Sequence, residues 1–178
     1  MNPPKLIKPY VLTFCKSISK AEPCWVPLQP LPGKSQKDCV NIVADKVALS
    51  GGRQVLGWAI WEWRNVLIEA EFHAIWESPD GRLVDLTPRP FKIPQIIFLP
   101  DVKIRYHGLQ IDNHRKSLYK NKDVDRFIWL AEQMMLETNK GELANYYGKI
   151  TLTGNLLELN DEMRLIQDRL SRKYGSRF

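Results

Sequence analysis

The chain has no apolar run long enough to cross a bilayer, which sets aside a membrane-spanning helix. It also lacks the even cysteine count of a disulfide framework. Its three cysteines, Cys15, Cys24 and Cys39, show no metal-type spacing either, so free thiols in a reducing compartment are expected. No secretory leader is visible at the start. Met1-Asn2-Pro3-Pro4-Lys5-Leu6-Ile7-Lys8 puts two prolines where a leader has its basic region, and Lys8 and Pro9 break the apolar stretch that follows. A cytoplasmic setting without membrane contact is the expectation. Blocks of like charge are missing too. The formal charge is +6, but both signs are spread along the chain, which argues for solubility and against nucleic acid as the default partner. There is no internal repeat and no low-complexity segment.

What remains is enough for one core. The chain has 178 residues, 44% of them apolar, which suits a globular domain with a helical appendage. Residues 1–34 form a proline-rich arm, extended from Pro23 to Gly33 because proline fixes φ and restrains its predecessor. Residues 35–106 form an α+β core. Ser35-Gln36-Lys37-Asp38-Cys39 reads as a helix start, Ser35 as N-cap and Asp38 completing a capping box, with the helix running from about Gln36 to Leu49 and closed by Gly51-Gly52. Two strands follow, about 54–63 and 66–77, then the turn Ser78-Pro79-Asp80-Gly81 and a third strand from Arg82 to Leu86. Residues 95–99 and 102–106 read as two more. Residues 107–178 are a basic loop and a helical C-terminal segment, with amphipathic helices at 123–140 and 159–173.

Cys39 is the residue that points to chemistry. A first-turn thiol meets unpaired backbone N–H groups and the positive end of the helix dipole, which favour an anion. His73, in Phe72-His73-Ala74-Ile75-Trp76, and Asp85, in Gly81-Arg82-Leu83-Val84-Asp85-Leu86-Thr87-Pro88, fall on adjacent antiparallel strands, where side chains on one face touch. A thiol at a helix start, a histidine on one strand and an aspartate on the next is the order of parts of a Cys-His-Asp hydrolase or acyl-transferase.

On these residues the stretch Gln36–Pro88 resembles the transglutaminase-like and papain-like cysteine enzymes, with Ile75 standing between Ala74 and Trp76. The resemblance implies an antiparallel sheet packed on a helix that bears the nucleophile Cys39. It also implies His73 as the base and Asp85 as the group that fixes the ring. The expected reaction is cleavage or transfer at an amide bond by a peptidase, amidase, glutamine deamidase or transglutaminase, with a protein, peptide or small amide as substrate and no cofactor. The backbone N–H of Cys39 offers one oxyanion donor. Gln36 is the candidate for the second, with Gln29 also available.

Other readings were weighed. Glu69, Glu71 and His73 share a strand face but bring only one histidine, so no metal is expected. Arg115, Lys116, Lys120 and Lys122 around Tyr119 are diluted by Asp112, Asp123 and Asp125 and read as a solvated loop. Cys24-Trp25 lies between Pro23 and Pro27 with no helix after it. The competing class is a protein-binding adaptor on a cysteine-hydrolase-like scaffold, with Trp58, Trp61, Trp63 and Trp76 lining a groove or filling the core.

Overall fold

Two stretches rich in apolar and aromatic residues around a tight turn build the longest strands, β2 (Arg53–Trp63) and β3 (Leu67–Glu77). In the turn Asn65 takes φ 62°, a left-handed value that asparagine tolerates, and Val66 N–H donates to the Trp63 carbonyl at 2.9 Å. The computed structural model describes residues 1–145 and 150–177; residues 146–149 and 178, within the segment expected to be loop and helix, lie outside them. The class is mixed α and β, with four α-helices and an antiparallel sheet among the described residues. None of these helices is long and apolar enough to cross a membrane. The chain divides into two compact units.

One unit comprises Pro3–Trp61 and Ala70–Ile104. Its sheet runs in the order β1-β5-β2-β3-β4, where β1 is Cys24–Pro27, β4 is Leu83–Val84 and β5 is Gln95–Pro100. The segment after β1 closes on the segment after β4: Asp85 N–H donates to Pro27 O at 3.0 Å and Gln29 N–H to Asp85 O at 2.8 Å. The ends of the strand order therefore meet, and the sheet is nearly closed. Its core holds Ala59, Ile60, Ala74, Ile75 and the whole of Ile96–Leu99, all fully buried. The proline-rich arm belongs to this unit. It forms helix α1 (Pro9–Lys16), with Pro9 in the first turn, and buries Val11, Phe14 and Cys15. Burial pushes the Cys15 thiol up to about 11.

Helix α2 (Cys39–Ser50) starts three residues later than expected. The Ser35–Asp38 capping box does not form. Ser35 Oγ instead takes the Lys37 N–H at 3.4 Å, closing a local turn, and the Asp38 carboxylate is occupied by Asn41 Nδ2 at 2.6 Å. Asp38 is the N-cap by position only, and Cys39 becomes the first helical residue. The far end follows expectation, with Gly51 at φ 70° and its N–H on Val47 O. Ile42 clusters with Val84 and Leu86, with Leu31 and Trp76 packed alongside. The strand expected at 102–106 is absent. Asp101 draws the chain into a turn by taking the Lys103 N–H at 3.0 Å, and leaves Val102 exposed.

Gly57 shows how close β2 and β5 run. A Cβ there would collide with the Leu99 carbonyl oxygen and lie 2.6 Å from the Phe98 ring. Gly57→Ala should therefore cost about 3 kcal/mol, as overpacking does when backbone must move. A thermal melt should show a drop of roughly 6–12 °C. A melt unchanged within about 1 °C would mean that the strands have room to part.

The other unit comprises Met1–Asn2, Glu62–Glu69 and Arg105–Phe178. Helices α3 (Lys122–Thr138) and α4 (Gly154–Tyr174) bury Val124, Phe127, Leu130, Ile166 and Leu170 with Trp63, Val66 and Leu67. Asn121 caps α3 by accepting the Asp123 N–H at 2.9 Å. The region expected as a solvated basic loop contains a strand, β6 (His114–Ser117), paired with β3. The Arg115 side chain is 8% exposed and lies 3.2 Å from Glu69 and 2.9 Å from Asp112. Glu69 is buried and also takes Arg177 at 3.1 Å. The two charges cover each other, so a face that carries them need not face water.

Candidate active site

The register of β3 and β4 decides where His73 and Asp85 meet. Trp76 pairs with Val84 and Glu77 with Leu83. One step further sets Asp85 opposite Ile75, so His73 is its diagonal neighbour, within reach of a long side chain. The His73 Nε2 lies 2.9 Å from Asp85 Oδ1. Both residues are buried, His73 to 2% exposure and Asp85 to 0%. Asp85 is held by its backbone bonds to Pro27 and Gln29 and by the Thr87 N–H, which donates to Oδ1 at 2.9 Å.

The third expected residue, Cys39, opens α2, and its side chain is among the groups that raise the His73 ring. Asp85 occupies Nε2, so a partner on the other side of the ring would meet Nδ1. Gln54 of β2 pins the start of α2 by donating from Nε2 to the Val40 carbonyl at 2.8 Å. The first-turn N–H groups beside Cys39 have no partner within the helix.

Electrostatics bind the pair tightly. Burial disfavours a charged His73, but the charge and hydrogen bond of Asp85, with the bond to Cys39, outweigh it and raise the ring to about 9; Arg89 pulls the other way. Burial likewise disfavours the Asp85 carboxylate, yet His73, Arg89 and the Thr87 N–H hold it down to about 2. At neutral pH the buried pair is thus an imidazolium and a carboxylate.

No family model, curated protein or solved structure matches this chain. Its chemistry has to be read from its own side chains.

Gln36 is exposed, in the turn that precedes α2. Gln29 is exposed as well, beside Asp85 in sequence pairing, and lines a cleft of about 450 Å³ with Cys24, Trp76 and Arg82. Burial raises the Cys24 thiol above its ordinary value. The carboxylates considered for a metal are committed elsewhere, Glu69 to Arg115 and Arg177, Glu71 to Trp61 and Arg89. Among the described residues no group of three or more His, Cys, Asp or Glu gathers for a metal ion.

Sequence reasoning missed Arg89. Its guanidinium, only 8% exposed, lies 3.2 Å from Asp85 Oδ2 and 3.3 Å from Glu71 Oε2. The signal was there, an arginine four residues after the aspartate and fixed between Pro88 and Pro90. Gln54 was missed as well, and Glu71 and Trp61 were weighed only as a metal ligand and as a groove or core residue. Nothing local marks a glutamine that will reach a helix carbonyl fourteen residues away, a separation of 14.

Proposed function

We propose that this protein is a thiol-dependent hydrolase or acyl-transferase acting on an amide bond, a compact member of the transglutaminase-like and papain-like group. In this reading α2 packs its Cys39 end against the sheet strand that carries His73. The observation that carries it is the buried His73–Asp85 pair, 2.9 Å apart, with Cys39 at the start of α2 among the groups that raise the ring. The cluster of Ile42 with Val84 and Leu86 and the Gln54 bond to Val40 support the helix placement.

The mechanism follows from these parts. The Cys39 sulfur, as thiolate, attacks the amide carbon and forms a C–S bond. The C–N bond breaks, and His73 gives its proton to the leaving amine. His73 then takes a proton from water or a second amine, which attacks the thioester and releases Cys39. Asp85 holds Nε2–H throughout, so that Nδ1 always faces sulfur. The oxyanion rests on the Cys39 N–H and, in this proposal, on Gln36.

The test is to incubate the protein with glutamine peptides and small amides and follow intact mass. A covalent adduct on Cys39 that hydroxylamine removes supports the reading. Absence of any adduct, with partners still bound by a Cys39→Ala chain, would favour the adaptor. Gln36 has its own test. Gln36→Ala should slow acylation by an amide roughly 100-fold while leaving iodoacetamide alkylation of Cys39 unchanged, because alkylation develops no oxyanion. Equal rates of acylation would remove Gln36 from the site.

A further inference from the structure

The guanidinium of Arg89 is fixed from several directions. Its Nη2 reaches Asp85 Oδ2 at 3.2 Å and its Nη1 reaches Glu71 Oε2 at 3.3 Å. Glu71 is itself held by Trp61 Nε1–H at 2.7 Å. The Trp61 ring lies against the guanidinium, 4.9 Å from its centroid, and Phe91 meets Trp61 edge-on. Contacts thus run in series from Trp61 through Glu71, Arg89 and Asp85 to His73.

We propose that Arg89 is a positioning residue for this site: by holding Asp85 Oδ2 from behind, it turns Oδ1 to the imidazole and opposes the ring's positive charge. The proposal rests on the reading of Cys39, His73 and Asp85 as a catalytic set. Arginine suits the task because its planar fork bridges two carboxylates at once. The Nη2 atom also lies 3.2 Å from His73 Nε2. Since Nε2 carries the hydrogen that Asp85 accepts, two N–H donors face each other across that gap. An imidazolium feels that repulsion more than a neutral ring does.

The consequence is kinetic. A buried histidine with an unopposed carboxylate keeps its proton too firmly to act as base in the second half of the reaction. The ionisable groups around the ring are Asp85 beyond β4, Arg89 after it, Cys39 from α2 and Glu71 two residues along β3. Arg89 is the cation among them that moderates Asp85, and its effect on the ring is downward.

The full-length chain labelled at histidine, titrated by NMR, reads the ring directly; the resonance missing from His73→Ala assigns it. Arg89→Met should raise the His73 midpoint by about one pH unit, and Arg89→Lys should bring it most of the way back. Glu71→Gln leaves Asp85 as the only carboxylate on the guanidinium and should lower the midpoint. Opposite shifts from the two ends of one contact are not expected of an arginine that merely fills space. An unmoved midpoint in folded Arg89→Met overturns the proposal. If circular dichroism shows that variant unfolded, an unmoved midpoint in folded Glu71→Gln overturns it instead. Iodoacetamide alkylation separates this from the underlying reading. Cys39 reacting selectively with no midpoint shift sinks only the role of Arg89, whereas a shift without selective alkylation sinks the catalytic set.

Discussion

Asp85→Asn should cost the fold about 3–5 kcal/mol and silence the site, because it removes one partner of a buried pair and leaves the other stranded. Three donors converge on that carboxylate, from His73, Thr87 and Arg89. An amide offers one oxygen and turns an NH₂ toward a donor, so at least one buried hydrogen bond is lost outright. Without the charge of Asp85, burial of His73 prevails and the ring goes neutral.

The same pair fixes a pH signature. Asp85 falls from an ordinary 3.8 to about 2 in the folded chain, so its stabilisation is full above pH 3.8 and is lost as pH drops through 2. His73 rises from 6.5 to about 9, so its stabilisation is full below pH 6.5 and is lost as pH climbs through 9. Both limbs report one interaction and are counted once, at about 3 kcal/mol. Thermal melts across the pH range should fall away on both sides for the native chain. In Asp85→Asn the alkaline decline between pH 6.5 and 9 should disappear. An alkaline limb that survives the substitution would mean that another group produces it.

Cys39→Ala should reduce amide turnover by about 10⁴-fold or more, since the covalent step has no other thiol to use. Cys15 cannot substitute, being fully buried in α1. Cys24 opens on a different cleft, with Trp25 and Arg82. Cys39 is partly exposed at a helix start, so its removal should leave the melting temperature within about 2 °C. Assay of the three single Cys→Ala variants side by side checks this. Loss of turnover in Cys24→Ala with retention in Cys39→Ala would move the nucleophile to the β1 cleft.

The strands and the His73–Asp85 contact were legible because both rest on local rules. Alternation through Leu67–Glu77 and a four-residue turn at Ser78–Gly81 set a register, and the register sets which side chains are diagonal. The helix start was harder. Ser35 and Asp38 each had a competing local bond, worth about 1 kcal/mol, and the competing bonds took both side chains. The strand expected at 102–106 lost to the turn chemistry of Asp101. The pairing of Glu69 with its arginines was invisible for a different reason. Glu69 pairs with Arg177 across a separation of 108 residues, and alternation cannot tell a carboxylate in water from one met by a distant arginine.

The most direct test of the central claim is the pH dependence of iodoacetamide alkylation at each cysteine, read by mass spectrometry in the native chain and in His73→Ala. The account predicts that Cys39 is alkylated faster than Cys15 and Cys24 and that His73→Ala removes this advantage, because the histidine is the group that activates the thiol. Alkylation of Cys39 only at alkaline pH, the same with and without His73, would contradict it.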